Sequence, residues 1–270
     1  MIEKEIYTNN FFKNLQQGAE QSARKTIPFV LDLVQPKSVV DVGCGNGIWL
    51  SVFKEFGIQE ILGIDGNYVD PAILLIQEKD FFSHDLKRSL QLDREFDLVV
   101  SLEVAEHLPS DYAEIFIKSL TSLGSVVMFS AAIPFQGGDG HHNEQWPEYW
   151  VEIFKKRGFV VIDCLRAKLW DQEKVEAYYA QNIFLFVKED CLKKYPLLEN
   201  FKNAENTQLS IVHPEVFLSV VNWVKTKLND SNSIDQAAED ILNEILLRNC
   251  CLDFCKLRES INANNEFNKD

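Results

Sequence analysis

Short apolar runs alternate, along residues 35–190, with longer stretches in which apolar residues recur every three or four positions. The runs are rich in β-branched and aromatic residues, which is typical of strands covered on both faces. They lie at residues 38–42, 60–64, 96–101, 125–133, 159–165 and 183–188. The amphipathic stretches predict helices at residues 48–57, 71–79, 111–124 and 147–158. This alternation predicts an α/β fold, with helices on both faces of a doubly wound parallel sheet.

Glycine and proline support these boundaries. Gly57, Gly124 and Gly158 end three of the predicted helices, where a helix C-cap favours glycine. Residues 8–34 have helical periodicity, and Pro36 predicts that this N-terminal helix stops before the first strand.

The chain divides into four predicted parts. An N-terminal helical cap (1–34) precedes the main α/β domain (35–190), and a C-terminal helical lobe (191–262) follows it. The lobe holds two amphipathic stretches within residues 213–262, which predict a surface for homodimer contact. The polar residues 263–270 predict a disordered tail.

Composition narrows the class of protein. The chain has 270 residues, of which 46% are apolar and 25% charged, as in ordinary globular proteins. Its apolar runs are shorter than the roughly 20 residues of a membrane helix, so no membrane contact is predicted. The N-terminus lacks the apolar core of a signal peptide, which predicts a cytoplasmic location. Six cysteines without a CxxC pair predict reduced thiols.

Charge weighs against a nucleic-acid partner. The 27 basic and 41 acidic side chains give a net charge of −14. Binding to a phosphate backbone draws on clustered lysine and arginine, and the chain has no dense basic run.

The sequence VVDVGCGNG (residues 39–47) follows the first predicted strand with three closely spaced glycines. Glycine allows positive φ and lets a ligand approach the backbone, and the N-terminus of the following helix favours an anion. The pattern is not the dinucleotide fingerprint GxGxxG, because Ile48 stands where its last glycine would be.

Four acids mark the carboxyl ends of predicted strands, where open parallel sheets bind their ligands: Asp41, Asp65, Asp85 and Glu103. Asp65 lies 18 residues beyond Gly47, at a position suited to accept both hydroxyls of a ribose. Asp85, in FFSHDL, follows what would be a third short strand, before the run at residues 96–101. Its carboxylate could accept from an adenine amino group while the Leu86 amide reaches a ring nitrogen.

These motifs, with LGIDG, HDL and FDLVVSLEVAEHLP in the same order and spacing, resemble the class I S-adenosylmethionine (SAM)-dependent methyltransferases over residues 35–190. The resemblance implies a Rossmann-like, seven-stranded sheet whose last strand is antiparallel. It implies that the glycine turn passes under the methionine part of SAM, with the ribose, adenine and α-amino group held by residues further along the edge. The implied cofactor-binding residues are Asp41, Gly43, Cys44, Gly45, Gly47, Asp65, Gly66, Asp85, Leu86, Ser101 and Leu102.

The sequence SLEVAEHLP (residues 101–109) places Glu103, Glu106 and His107 at helical spacing. A helix beginning near Glu103 would put all three on one face. Methyl transfer from a sulfonium is an in-line displacement, so the enzyme must align the acceptor. An oxygen acceptor must also lose its proton, which requires a base or an activating cation.

A second polar stretch, PFQGGDGHHNEQWPEYW (residues 134–150), follows the fifth predicted strand. Its glycines predict a loop, and its polar side chains His141, His142, Glu144 and Gln145 are costly to bury without partners. The fourth and fifth strands are neighbours in the methyltransferase strand order, so both stretches are expected to rim one mouth.

Two hypotheses follow for the chemistry. In the first, His107 is the general base beside Glu103, while His142, Glu144 and Gln145 shape the acceptor pocket. In the second, Mg²⁺ or Mn²⁺ polarises the acceptor hydroxyl. The ligands in this second hypothesis are Glu103, Glu106, His107 and His142.

The pattern E-x-x-E-H with a later H-x-x-x-W resembles the metal site of the small-RNA 3′-end 2′-O-methyltransferases. The matching positions are Glu103, Glu106, His107, His142 and Trp146. We expect a SAM-dependent enzyme that methylates a small molecule (a sugar, peptide or other metabolite) at a hydroxyl or carboxylate oxygen. The alternatives are an RNA-terminal 2′-O-methyltransferase and a non-catalytic SAM-binding subunit. Residues 169–182 are a candidate aromatic wall for the acceptor.

Overall fold

The computed structural model describes residues 9–201 and 208–230. Seven strands form one sheet in the order β3-β2-β1-β4-β5-β7-β6. Their bounds are β1 Ser38–Val42, β2 Glu60–Asp65, β3 Phe81–Ser83, β4 Leu98–Leu102, β5 Val126–Ser130, β6 Phe159–Ile162 and β7 Phe184–Lys188. Strand β7 is antiparallel to β5 and β6, whereas the other pairs are parallel. The predicted Rossmann-like sheet with an antiparallel last strand is confirmed.

Helices cover both faces of this sheet. Their bounds are α1 Asn9–Val34, α2 Ile48–Glu55, α3 Ala113–Leu123, α4 Pro147–Lys155, α5 Arg166–Leu169, α6 Ala177–Asn182, α7 Pro196–Glu199 and α8 Pro214–Asp230. Short 3₁₀ turns lie at Pro71–Ile73, Glu78–Asp80, Ala105–His107, Ser110–Tyr112 and Glu189–Lys194.

The core consists of two apolar layers, one on each face of the sheet. Alternate residues of β5 enter opposite layers: Val126 belongs with α1 and α2, and Val127 belongs with α3 and α4. Phe154 of α4 stacks on Phe186 of β7 with ring centroids 3.8 Å apart. Truncating a buried phenylalanine of this kind to alanine costs about 3–5 kcal/mol. Because both faces are covered, the strands read as continuous apolar runs.

The helix predicted over residues 71–79 is wrong. Two separate 3₁₀ turns stand there, and the N–H of Leu75 donates to the carbonyl of Asn46 at 2.8 Å. Ile76 is buried against Gly47 and Gly63. The segment therefore folds over the glycine turn, and this tertiary contact overrides its helical periodicity.

Other predicted boundaries differ in detail. Strands β5 and β6 end three residues earlier than predicted, at Ser130 and Ile162. Gly57 and Gly158 have positive φ after their helices, as a C-cap requires. Gly124 is extended instead, and a Cβ there would lie 2.5 Å from the carbonyl oxygen of Phe96. Glycine is needed at position 124 because of this close approach.

Both predicted flanks contribute elements. Helix α1 adds Ala23 and Ile27 to the same apolar layer as the sheet, and Leu198 of α7 joins that layer. Helix α8 is the first of the helices predicted in the C-terminal lobe; the second and the tail lie outside the described residues. Among the residues that the structure describes, no helix combines the length and apolar character needed to cross a membrane.

Cysteine was predicted to occur as reduced thiols. Cys44, Cys164 and Cys191 are free. The other three, Cys250, Cys251 and Cys255, lie outside the described residues.

Candidate active site

A cleft of about 1160 Å³ opens at the carboxyl ends of the parallel strands. Segments that follow β1, β2, β3, β4 and β5 line it, together with residues from α1, α6 and α8. Strand β4 lies next to β1, so the chain reverses its winding direction between these two strands. Open α/β sheets bind ligands at such a switch point.

The glycine turn forms the floor of the cleft between β1 and α2. Gly43 has φ of 89°, and its N–H donates to the carbonyl of Ile64 at 2.7 Å. A Cβ at this position would lie 2.4 Å from Cγ2 of Val104, in the segment after β4. Only glycine therefore allows the turn and the β4 segment to meet.

Asp65, at the end of β2, faces the glycine turn. One carboxylate oxygen accepts the N–H of Gly45 at 2.7 Å, and the other accepts the N–H of Gly66 at 2.6 Å and the hydroxyl of Tyr68. The side chain is buried. Three donors fix this carboxylate in place before any ligand arrives.

Further predicted cofactor residues line the same cleft: Asp41, Cys44, Asp85, Leu86 and Leu102. Burial, and then Asp65, raise the pKa of Asp41 well above its usual value. Asp85 is exposed, accepts the N–H of Lys87 at 3.0 Å and pairs with Arg88 at 3.4 Å. These residues meet at one edge of the sheet, as the sequence predicts.

Two predicted cofactor residues lie behind the cleft. Gly47 caps the N-terminus of α2 with φ of 79°, beneath Ile76. Ser101 is fully buried, and its hydroxyl donates to the carbonyl of Val42 at 2.8 Å. Gly47 and Ser101 therefore help to hold β1, α2 and β4 together.

Glu103 has an unusual backbone. Its φ is 53°, a left-handed conformation uncommon for residues with a side chain. Its N–H donates to the carbonyl and hydroxyl of Ser130, and its carboxylate accepts from Gln136 at 2.7 Å and Asn182 at 3.2 Å. Burial raises its pKa. The helix expected to begin at Glu103 is wrong: a 3₁₀ turn (Ala105–His107) follows instead, so the three-residue face predicted there does not form.

Glu106 is the most exceptional side chain in the cleft. It is 0% exposed, yet neither carboxylate oxygen accepts a hydrogen bond of regular geometry. Burial raises its pKa well above the usual value, and Glu103 raises it further; the backbone N–H groups of Glu106 and Ala132 offset only part of this increase. A neutral polar group buried without a partner costs about 2–7 kcal/mol, and an ionised carboxylate costs more than that. Such a group indicates a missing partner.

Two imidazoles lie beside this carboxylate. His107 and His141 meet edge to face with ring centroids 4.7 Å apart. Burial, and then His141, lower the pKa of His107 to about 3, so its ring is neutral at physiological pH. Nδ1 of His141 bonds to Oε1 of the fully buried Glu144 at 2.8 Å. Glu144 therefore orients the His141 ring through Nδ1, and Nε2 is the ring nitrogen that is left to bind a metal ion.

Glu144 organises the loop after β5 without lining the cleft. Its carboxylate also accepts the N–H groups of Phe135 and Gly137, both at 2.8 Å. The carbonyl of Glu106 accepts the N–H of His142 at 2.8 Å, which ties this loop to the segment after β4. The two polar stretches therefore rim one mouth, as the sequence predicts.

Three atoms of this cluster have the spacing of a metal site. Glu106, His107 and His141 each offer one ligand atom, and these atoms lie within 4.8 Å of one another. The sequence predicted His142 as a ligand, but this group contains His141 in its place. Glu103, also a predicted ligand, lies outside the group, and its carboxylate accepts from the amides of Gln136 and Asn182. One carboxylate and two imidazoles suit a divalent cation. The unpartnered oxygens of Glu106 are what such an ion would satisfy, so the residues present fit one.

The other residues of this loop lie as follows. His142 is exposed and lines the cleft. Gln145 is buried and donates to Asn143 at 2.7 Å, outside the cleft lining. Trp146 is the N-cap of α4 and does not line the cleft either.

Sequence reasoning missed several polar side chains of the site. Tyr68 bonds to Asp65, and Gln136 and Asn182 bond to Glu103. Sequence offers no signal for the last two, because they lie 33 and 79 residues from their partner. The aromatic wall is present in part: Tyr178 and Tyr179 line the cleft, while Trp170 packs against His213.

The chain is similar to known methyltransferases. A family model described as a methyltransferase domain matches residues 15–164. No curated protein sequence matches the chain significantly.

Solved structures of similar fold include three methyltransferases. The plantazolicin methyltransferase BpumL, solved with a desmethyl analogue and SAH, is 14% identical; the match covers 69% of this chain and 91% of that one, with a TM-score of 0.50. The methyltransferase domain of bacterial CtHen1 is 22% identical, covering 62% and 98%, with a TM-score of 0.47. Magnesium protoporphyrin IX methyltransferase from Synechocystis PCC 6803, with bound SAM, is 20% identical, covering 67% and 85%, with a TM-score of 0.46. At these identities the likeness concerns the fold.

Proposed function

Because the chain belongs to the class I SAM-dependent methyltransferases, a family whose methyltransferase domain matches residues 15–164, we propose that it methylates an oxygen atom of a small polar acceptor. We further propose that a divalent cation held by Glu106, His107 and His141 activates this oxygen. The observation that carries the proposal is the Glu106 carboxylate, which is fully buried, accepts no hydrogen bond of regular geometry and lies beside two imidazoles.

The methyl donor is SAM, and the glycine-turn end of the cleft is where we place it. The backbone at Gly43 and Gly45 allows close approach of the methionine part. Asp65 is held at the end of β2, where its carboxylate can accept from the ribose hydroxyls. In this arrangement a ribose hydroxyl replaces the Tyr68 hydroxyl as a donor to Asp65. Asp85 and Leu86 lie at the end of β3, on the adenine side. We place the α-amino end of SAM at the Leu102 backbone, with Asp41 near the methionine part.

His107 suits a ligand role better than a base role. A general base is most effective when its pKa is near the working pH, and the pKa of His107 is about 3. A neutral imidazole nevertheless keeps a lone pair for a metal ion. The contact of Glu144 with Nδ1 of His141 matches the carboxylate–histidine arrangement that orients metal ligands.

In the proposed reaction the chain's residues align the two reactants and exclude water. A bound Mg²⁺ or Mn²⁺ would polarise the acceptor hydroxyl and lower its pKa. The hydroxyl proton leaves to solvent, the oxygen attacks the methyl carbon in line, the C–S bond breaks and SAH departs. Glu103, fixed by Gln136 and Asn182, borders the same space and is proposed to position the acceptor hydroxyl.

The proposal is tested by methyl transfer from labelled SAM into a metabolite extract. We expect incorporation that EDTA abolishes and that added Mn²⁺ or Mg²⁺ restores. The Glu106→Gln variant should bind SAH normally but transfer no methyl group, whereas Glu152→Gln, an exposed control on α4, should behave like the parent protein. Transfer that continues unchanged in EDTA would refute the cation and leave the base hypothesis.

RNA-terminal 2′-O-methylation is the second candidate. It is favoured by the E-x-x-E-H spacing at Glu103–His107, and opposed by the net charge of −14. A mobility-shift titration with short single-stranded RNA at physiological salt separates the two, since tight binding would favour the RNA enzyme. The non-catalytic alternative is set aside because the chain belongs to a family of enzymes. The predicted cytoplasmic location and homodimer stay predictions.

A further inference from the structure

Two adjacent amide side chains, Gln181 and Asn182, end helix α6. Gln181 is 1% exposed and Asn182 is 2% exposed, so each needs hydrogen-bond partners inside the protein. Both residues lie beyond residue 164, where the match to the methyltransferase family model ends, and neither lines the cleft. Their partners connect two segments of the chain that do line it.

The hydrogen bonds of this pair run in one direction. The backbone N–H of His213, just before α8, donates to Oε1 of Gln181 at 2.7 Å. Nε2 of Gln181 donates to Oδ1 of Asn182 at 2.8 Å, and Nδ2 of Asn182 donates to Oε1 of Glu103 at 3.2 Å. A backbone N–H can only donate and a carboxylate can only accept. The two ends of this chain of hydrogen bonds therefore fix the direction of both amides.

A third amide completes the surroundings of the Glu103 carboxylate. Nδ2 of Asn182 also donates to Oε1 of Gln136 at 2.8 Å, and Nε2 of Gln136 donates to the second oxygen of Glu103 at 2.7 Å. If the Asn182 amide turned over, its oxygen would face both the Glu103 carboxylate and the oxygen of Gln136. One reversed amide would therefore replace attractive contacts with repulsive ones beside Glu103.

The backbone N–H that begins this chain of hydrogen bonds is itself held in place. The buried imidazole of His213 donates through Nε2 to the carbonyl of Trp170 at 2.9 Å and accepts the N–H of Glu215 at Nδ1 at 3.2 Å. The start of α8 is fixed by these contacts, and Val216 in its first turn lines the cleft. An element that borders the cleft thus supplies the first donor.

We infer that Gln181 is a positioning residue for methyl transfer: it fixes the direction of the Asn182 amide and thereby holds Glu103 against the acceptor hydroxyl. The start of α8 supplies the N–H that sets this direction, so the C-terminal helix takes part in ordering the acceptor site. This inference rests on the role of Glu103 in the proposed function. Glu103 needs such support because its backbone is left-handed, a conformation that persists only where the surroundings maintain it.

Hydrogen exchange, followed by mass spectrometry, tests this inference without catalysis. The N–H of Glu103 donates to Ser130, so its exchange with deuterium reports on the left-handed backbone. The full-length, SAH-loaded parent is compared with Gln181→Met, whose side chain is similar in length but forms no amide hydrogen bond. We expect exchange in the variant to be about tenfold faster in residues 101–109 and at the start of α8.

The matched control is Gln172→Met, which makes the same change at an exposed residue outside the cleft lining. It should exchange like the parent in both segments. Faster exchange at the start of α8 alone in Gln181→Met would overturn the inference, because Gln181 would then hold only the helix. If Gln181→Met does not bind SAH, the Gln181→Asn variant, whose amide is one methylene shorter, takes its place with the same expectations.

Methyl transfer separates positioning from a general effect on stability. With labelled SAM, Mn²⁺ and a saturating metabolite extract, transfer by Gln181→Met should fall by about tenfold, while the half-saturating SAM concentration changes by less than about twofold. In a Glu103→Gln background, Gln181→Met should cost less than about twofold more, because both changes act on one contact. Independent effects, whose fold losses multiply in the double variant, would contradict the inference.

A failure of the proposed function gives a different result. A parent protein that binds SAH but transfers no label into the extract would count against the proposed function alone. The exchange of residues 101–109 in Gln181→Met would still decide whether Gln181 holds Glu103.

Discussion

Two buried carboxylates at opposite ends of the cleft differ in how they are satisfied. Asp65 is 3% exposed and accepts from Gly45, Gly66 and Tyr68. Glu106 is 0% exposed and accepts no hydrogen bond of regular geometry. The Asp65 carboxylate has its hydrogen-bond donors before a ligand binds, because they lie in the glycine turn and in the segment after β2. The Glu106 carboxylate is stabilised only when a cation binds. Buried polar groups that lack a partner are rare in a protein core and occur mainly at functional sites.

The largest effect is expected for Glu106→Gln, which removes the charge but keeps the shape. Methyl transfer should fall by about 1000-fold, equivalent to ~4 kcal/mol in activation free energy. In metal-free buffer, melting should rise by about 2–4 °C, because the amide has no charge to bury. Turnover and thermal melting measure the two effects. Loss of activity with a lowered melting temperature would mean that Glu106 stabilises the fold and is not a ligand.

A smaller loss is expected for Glu144→Gln. The amide no longer matches Nδ1–H of His141 as a charged acceptor, so transfer should drop by about 10- to 100-fold. SAH affinity should stay within about twofold, because the loop lies at the other end of the cleft. A metal titration of activity should show a higher Mn²⁺ requirement. An unchanged requirement would remove Glu144 from the positioning of His141.

The Asp65→Asn variant tests the carboxylate at the glycine-turn end of the cleft. A hydrogen bond to a charged acceptor contributes about 1.5–3 kcal/mol, so its loss should make SAH bind about 10- to 100-fold more weakly. Calorimetry with SAH measures this loss. The Mn²⁺ affinity should be unaffected, and Asp171→Asn, an exposed residue, serves as the control. Weakened Mn²⁺ binding in the Asp65 variant would show that the two ends are not independent.

The smallest effect is expected for Tyr68→Phe. Its hydroxyl occupies an oxygen of Asp65 that the ribose is proposed to use. Removing this competitor should tighten SAH binding by up to about threefold, equivalent to ~0.7 kcal/mol, because the ribose hydroxyl then takes the place of the Tyr68 hydroxyl on the same carboxylate. Weaker binding in this variant would indicate that Tyr68 contacts the ligand directly.

Much of the fold could be predicted from local pattern. The six apolar runs correspond to β1, β2, β4, β5, β6 and β7, because strands buried on both faces leave a signal that periodicity detects. The glycine turn and the acids at the carboxyl ends of β1, β2 and β3 could also be placed, because parallel strands bring these ends to one edge.

The remainder depended on contacts between distant residues. The helical periodicity of residues 71–79 yields to the packing of Ile76 over the glycine turn. Glu103 leaves its predicted helix because Ser130, Gln136 and Asn182 hold it in a left-handed backbone. The choice of His141 over its neighbour His142 depends on the partner Glu144, and spacing alone does not distinguish two adjacent imidazoles.

The most direct test of the account is a calorimetric titration of Mn²⁺ into EDTA-treated, SAH-saturated protein. We expect binding of Mn²⁺ with 1:1 stoichiometry in the parent protein, lost in Glu106→Gln, with the heat of SAH binding the same in both. A parent protein that binds SAH but gives no heat with Mn²⁺, or a Glu106→Gln variant that binds the ion equally well, would contradict the central claim.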